Sequence, residues 1–167
     1  MSVRRAINPN RPRPLPITQT PPRSQLTSAA QQDNVEAVKI ALASKNVKID
    51  DNTGLGGMSA YHWAAKNGNA EIVQLLIDAS ADPNVTNKVG KTPVAIAAES
   101  GHVEALKLIV ESGGNIEAVD QIGGTPLLWA AGLSKNPATV NYLIEAGGNV
   151  NVVDTNGMTP LIWAAGI

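Results

Sequence analysis

Apolar residues in this chain gather in short clusters with helical spacing, and glycine or a polar pair closes each cluster. Val35, Val38 and Leu42 stand at i, i+3 and i+7, which predicts one apolar face on a helix over residues 35–42. Residues 60–67 form a second candidate helix, stopped by Gly68. Residues 71–79 form a third, carrying Ile72, Val73, Leu75, Leu76 and Ile77. Another helix opens at Thr92-Pro93, where threonine caps free backbone amides and proline takes the first helical position without losing a hydrogen bond. Ser100-Gly101-His102 breaks it, residues 104–111 continue as the next helix, and Gly113-Gly114 ends that one through a left-handed residue. The order returns with Val140, Tyr142, Leu143 and Ile144 ahead of Gly147-Gly148. The pattern predicts pairs of short helices joined by polar loops.

The pairs are copies of one another. Gly90-Lys91-Thr92-Pro93-Val94-Ala95-Ile96-Ala97-Ala98 comes back as Gly123-Gly124-Thr125-Pro126-Leu127-Leu128-Trp129-Ala130-Ala131 and again as Gly157-Met158-Thr159-Pro160-Leu161-Ile162-Trp163-Ala164-Ala165. A degraded copy, Gly57-Met58-Ser59-Ala60-Tyr61-His62-Trp63-Ala64-Ala65, precedes them. The Ser/Thr positions 59, 92, 125 and 159 are separated by 33, 33 and 34 residues. A period near 33 with this wording resembles the ankyrin-repeat family, from about residue 26 to the end. The resemblance implies an all-α solenoid with β-hairpin loops, a stack of about four to five repeats. The repeats fall at 26–49 (a capping version), 50–85, 86–118, 119–152 and an incomplete 153–167. Because the last inner helix has no outer partner, a fragment of a longer protein is the expectation at that end.

Composition changes the picture at the N-terminus. Residues 1–25 hold six of the eleven prolines, which remove backbone donors and fix φ, so an extended Pro/Arg-rich arm is expected there. Arg4, Arg5, Arg11, Arg13 and Arg23 occur without any acid in residues 1–32, a charge of +5. The remainder has 8 Lys+Arg against 14 Asp+Glu, a charge of −6, so two segments of opposite sign are joined. An arginine-bearing, acid-free start also suggests an organelle transit peptide, although the prolines interrupt any long amphipathic helix. Without cysteine, disulfides, thiolate metal sites and cysteine nucleophiles are excluded. No run reaches the roughly 18 apolar residues of a membrane-spanning helix. The expected location is cytoplasmic, with organelle import as the alternative.

Candidate chemistry is sparse. The glycines of Gly54-Leu55-Gly56-Gly57 lie in a loop longer than its later counterparts, but no Gly-Lys-Ser/Thr follows, so they predict a turn rather than a phosphate cradle. His62 matches the family's Thr-Pro-Leu-His position, where the resemblance implies a staple between neighbouring hairpin loops. His102 matches the Gly-His start of an outer helix. Trp63, Trp129 and Trp163 share one repeat slot with Ile96, and a buried column between inner helices is expected of them. Asp51, Asp120 and Asp154 recur at matching hairpin positions, as turn-capping carboxylates do. No nucleophile–base order or paired-carboxylate pocket is legible, so no enzyme, no cofactor and no metal is expected.

The expected function is a non-catalytic scaffold that binds a partner protein on its concave face, within a multi-subunit assembly, while the arm docks on that same assembly. By resemblance the free hairpin-tip positions are Lys88, Val89, Lys91, Gln121, Ile122, Thr155 and Asn156. Those following the Ala-Ala pairs are Lys66, Asn67, Glu99, Ser100 and Leu133. Arg4, Arg5, Arg11, Arg13 and Arg23 would make the arm contacts. The acidic repeats disfavour nucleic acid, whereas the arm could tether to RNA or an anionic membrane. The alternative is a recognition module of a larger multidomain protein, such as a co-chaperone, enzyme or channel.

Overall fold

A computed structural model describes residues 22–134 and 136–166, with backbone alone for residues 22–24. Its helices are α1 (Pro22–Gln31), α2 (Val35–Leu42), α3 (Ala60–Asn67), α4 (Ala70–Asp78), α5 (Pro93–Ser100), α6 (Val103–Glu111), α7 (Pro126–Leu133), α8 (Pro137–Glu145) and α9 (Pro160–Ala165). Odd-numbered helices stack in sequence to form the inner row, and α2, α4, α6 and α8 form the outer row. Each helix touches only its pair partner and its neighbours, as expected of a solenoid.

The inner row is alanine-rich because its helices approach closely. Ala64, Ala65, Ala97, Ala98 and Ala130 are buried there, and larger side chains would separate the rows. Leu26, Val38, Ile72, Leu76, Leu106, Ile109 and Leu143 fill the space between inner and outer rows with no exposed surface. The N-terminal caps repeat. Thr92, Thr125 and Thr159 each accept a backbone N–H with the side-chain oxygen three residues on, ahead of a proline in the first turn.

Two features differ from the sequence reading. Among the described residues there is no β-strand, and the hairpins are reduced to tight turns. Asp120 N–H closes its turn on Gly124 O at 3.1 Å, the amides of Ile122, Gly123 and Gly124 turn back on Asp120, and Gln121 N–H reaches sideways to the preceding repeat. In addition α1 begins at Pro22, so residues 22–25 are helical rather than extended. A proline in the first turn has no intrahelical donor to lose, which is why a proline-rich stretch can run directly into a helix. Arg4, Arg5, Arg11 and Arg13 lie outside the described residues, as does the side chain of Arg23.

Two hydrogen-bonded ladders fix the register of the stack. At the hairpin tips, Lys88 N–H donates to Gly56 O, Gln121 N–H to Val89 O and Thr155 N–H to Ile122 O, at 3.0–3.1 Å. At the other end of the inner helices, Asn67 Nδ2 donates to Ala30 O, His102 Nε2 bonds Lys66 O and Asn136 Nδ2 donates to Gly101 O, each at 3.0 Å. The C-cap Gly68 has φ 74°, and a Cβ there would lie 2.5 Å from the His102 ring, so both backbone and space require glycine.

Candidate partner-binding groove

The tips and the inner helices of the second and third repeats enclose an open groove of about 410 Å³. It brings together five of the sequence-predicted residues, Lys66, Val89, Lys91, Glu99 and Ser100, with Leu55, Met58, Trp63, Asn87 and Ile96. Leu55 is 83% exposed and Val89 50%, so the groove presents apolar surface directly to solvent. A smaller hollow continues it toward α1, sharing Leu55 and Trp63 and adding Thr27, Ser28, Gln31 and Asp51.

The other predicted residues lie elsewhere. Asn67 spends its amide on the α1 carbonyl and is a structural rung. Gln121 Nε2 donates to Lys88 O and Thr155 Oγ1 to Ile122 O, so both tip side chains reinforce the ladder. Lys88 and Asn156 are exposed at their tips, and Leu133 is half-exposed at the end of α7. Ile122 borders a separate small hollow beside Trp129 and Trp163.

Lys91 is in the groove but is not a free cation. Its Nζ lies 2.6 Å from Glu99 Oε2 and 3.4 Å from the centroid of Trp129, and its side chain is only 12% exposed. The ammonium is therefore enclosed by a carboxylate and an aromatic face, which favour it electrostatically. Lys91→Met is expected to lower stability by about 1–2 kcal/mol, through the lost cation–π contact and the unpaired Glu99. A chemical-denaturation double-mutant cycle with Glu99→Gln checks this, and additive losses would refute the coupling.

The tryptophan slot departs from a uniformly buried column. Trp129 and Ile96 are buried, whereas Trp63 and Trp163 are half-buried and face the concave side. Trp129 and Trp163 lie with ring centroids 5.9 Å apart at 54°. Trp129 Nε1 donates to Asp120 Oδ2 at 2.9 Å and Trp163 Nε1 to Asp154 Oδ2 at 3.1 Å, each pair nine residues apart. The other oxygen of each aspartate takes two turn amides: Ile122 and Gly124 on Asp120, Asn156 and Met158 on Asp154. The Met158 amide, with those of Asn156 and the Trp163 indole, holds the Asp154 carboxyl below its ordinary range against desolvation. Asp51 does cap its turn, accepting from Thr53 N–H and Oγ1–H. The longer loop of the second repeat, with a 3₁₀ turn at Leu55–Gly57, puts Asp51 twelve residues before Trp63, and no hydrogen bond joins them.

His62 is buried completely. Its Nδ1 accepts from Ser59 N–H at 3.1 Å and its Nε2 bonds Lys91 O at 3.0 Å, which ties the second repeat to the third. Among the described residues no group of three or more His, Cys, Asp or Glu is placed to hold a metal, and no buried side-chain nitrogen or oxygen lacks a partner.

Geometry and repeat together define a class: a helical-repeat solenoid with ordered turns and an open concave surface. The family description "Ankyrin repeats (3 copies)" matches residues 26–120, and a further "Ankyrin repeat" matches 123–155. The chain belongs to the ankyrin-repeat family, whose repeats are non-catalytic protein-interaction modules. It is similar to a Transient receptor potential cation channel subfamily A member 1 homolog of Caenorhabditis elegans, 36% identical over 75 residues. It is also similar to Tyrosine-protein kinase HTK16 of Hydra vulgaris, 31% identical over 74 residues. These stretches cover 45% and 44% of this chain but only 6% and 10% of the relatives. No helix among the described residues is long and apolar enough to cross a membrane.

Proposed function

We propose that the molecule is a protein-binding scaffold whose partner enters the groove between the second and third repeats, in a multi-subunit assembly. The observation that carries this is the exposed apolar lining, Leu55 and Val89, beside the half-buried Trp63. An apolar centre with a polar rim is how protein interfaces are built. The surrounding turns are already hydrogen-bonded, so binding loses little entropy in ordering the receptor. In this reading Lys66, Val89 and Ser100 contact the partner, while Lys91, Gln121, Asn67 and Thr155 keep the surface in shape. The arginines of the arm meet a second surface of the same assembly, which strengthens attachment through effective concentration. The scaffold works in the cytoplasm, where a chain without cysteine needs no oxidising compartment.

A second reading has one observation in its favour. The matched stretches are small parts of a channel homolog and a tyrosine kinase, and in this reading the chain is the recognition segment of a larger protein. A pull-down from the native cell with the full chain, with Leu55→Ser/Val89→Ser, and with residues 1–21 deleted tests the scaffold. The deletion stops at Pro21 because Pro22 opens α1. Recovery of one complex that survives the deletion and fails with the groove variant is the expected result. Recovery that needs the arm and ignores the groove variant would overturn it.

A further inference from the structure

The three tryptophan repeats are not equivalent, and the difference lies in the groove. Trp129 is a closed unit: a lysine covers its ring, an aspartate accepts its indole N–H, and a glutamate pairs the lysine. Trp163 likewise donates to its own hairpin aspartate. Trp63 repeats half of this arrangement. Lys66 Nζ lies 5.1 Å from the centroid of its ring, but no carboxylate of the described residues accepts its N–H or pairs Lys66. Since no buried side-chain nitrogen lacks a partner, the Trp63 indole N–H is open to solvent. The longer loop of the second repeat has removed the carboxylate that its later copies supply from within.

We propose that the groove receives an acidic segment of a partner protein, with a carboxylate bound at Trp63 Nε1 and Lys66 Nζ and a neighbouring apolar side chain laid on Leu55, Val89 and Ile96. This rests on the reading of the groove as the binding site and specifies its partner. The carboxylate would take the place that Asp120 holds against Trp129. A charge-assisted hydrogen bond from an indole in a half-enclosed site is stronger than one between neutral groups. Local charge agrees. Lys66 and the exposed tip Lys88 make no ion pair with described residues, and the groove's glutamate, Glu99, is already neutralised by Lys91. Lys66 and Lys91 against Glu99 give the groove lining one net positive charge, opposite in sign to the −6 of the repeat segment, while Asp51 stands in the hollow that continues it. The arm is not the occupant, because residues 1–21 contain arginine and no carboxylate side chain.

Selection of displayed short random peptides against the full chain, followed by solution titration of those recovered, tests the proposal. The expected peptides carry Asp or Glu beside a large apolar residue. Changing that acid to its amide weakens binding about tenfold, and Trp63→Phe or Lys66→Met does the same. Once Trp63→Phe is in place, the amide change has little further effect. Thermal unfolding of both variants, each altering one partly exposed side chain, separates binding loss from misfolding. Peptides without acid, or titrations indifferent to Trp63→Phe and Lys66→Met, overturn the acidic partner. If such peptides still fail against Leu55→Ser/Val89→Ser, the groove survives as a binding site. If they bind that variant unchanged, or no peptide is enriched, the groove reading falls as well.

Discussion

Trp129→Ala is expected to lower the unfolding free energy by about 3–5 kcal/mol, the largest loss of any single concave-face substitution. The ring is 8% exposed and serves four neighbours at once. It packs on Trp163, supports the Lys91 ammonium, donates to Asp120 and lies over Gly124, where a Cβ would approach its Nε1 to 2.6 Å. Removing it opens a cavity, and it also leaves Asp120 Oδ2 without its donor in a buried setting, which alone costs about 1–3 kcal/mol. Trp129→Phe keeps most of the ring and isolates the hydrogen bond. Urea titration of both variants measures the effect. A loss under about 1 kcal/mol for alanine would show that the third-to-fifth repeat contact does not depend on this ring.

His62→Leu is expected to cost about 2–3 kcal/mol, because it orphans two backbone groups inside the stack. One is the Ser59 N–H, which closes a reciprocal capping box with the imidazole; the other is the Lys91 carbonyl of the next repeat. The same residue makes stability depend on pH. Burial pushes the His62 imidazole below its ordinary 6.5, while the carbonyls of Lys91 and Val85 oppose that shift without reversing it. The folded chain therefore holds the neutral ring under conditions where the unfolded chain has bound a proton. Stability from this residue is complete above pH 6.5 and is lost as pH falls from there toward the depressed folded value, with a slope of at most about 1.4 kcal/mol per pH unit. Asp154, also depressed, acts near and below its ordinary 3.8, outside the range from pH 7.5 to 5.5 in which His62 is tested. Denaturation midpoints between pH 7.5 and 5.5 should fall for the natural sequence and stay level for His62→Gln, which can still cap Ser59. A natural sequence with a level profile would remove His62 from the account.

The repeat, its caps and its helix pairs were legible because they depend on neighbours close in sequence. Thr92-Pro93 opens a helix through its own side chain and ring, and Gly68 ends one through its own φ. Period then carries each local rule to the next copy. Site residues were only partly legible. Lys66, Val89, Lys91, Glu99 and Ser100 do meet in one groove, since they occupy equivalent places in adjacent repeats. Leu55, Met58 and Ile96 belong there too. For Leu55 the extra length of the 50–57 loop was the available signal, and for Ile96 its place in the tryptophan slot, but neither tells where an apolar side chain will point.

The sequence by itself determined the solenoid, the order of inner and outer helices, and the charge contrast between the arm and the repeats. Each follows from local propensity, period or composition. Tertiary structure alone decided which polar groups remain available. Lys91 reads as an exposed tip cation, yet the next repeat's Trp129 and its own repeat's Glu99 enclose it. Gln121 and Thr155 read as free tips and are rungs, whereas Trp63 reads as one more core ring and is the indole left without a carboxylate. The physical reason is that such pairings join neighbouring repeats across a fixed stacking distance, and only the stacked geometry tells which donor has met its acceptor.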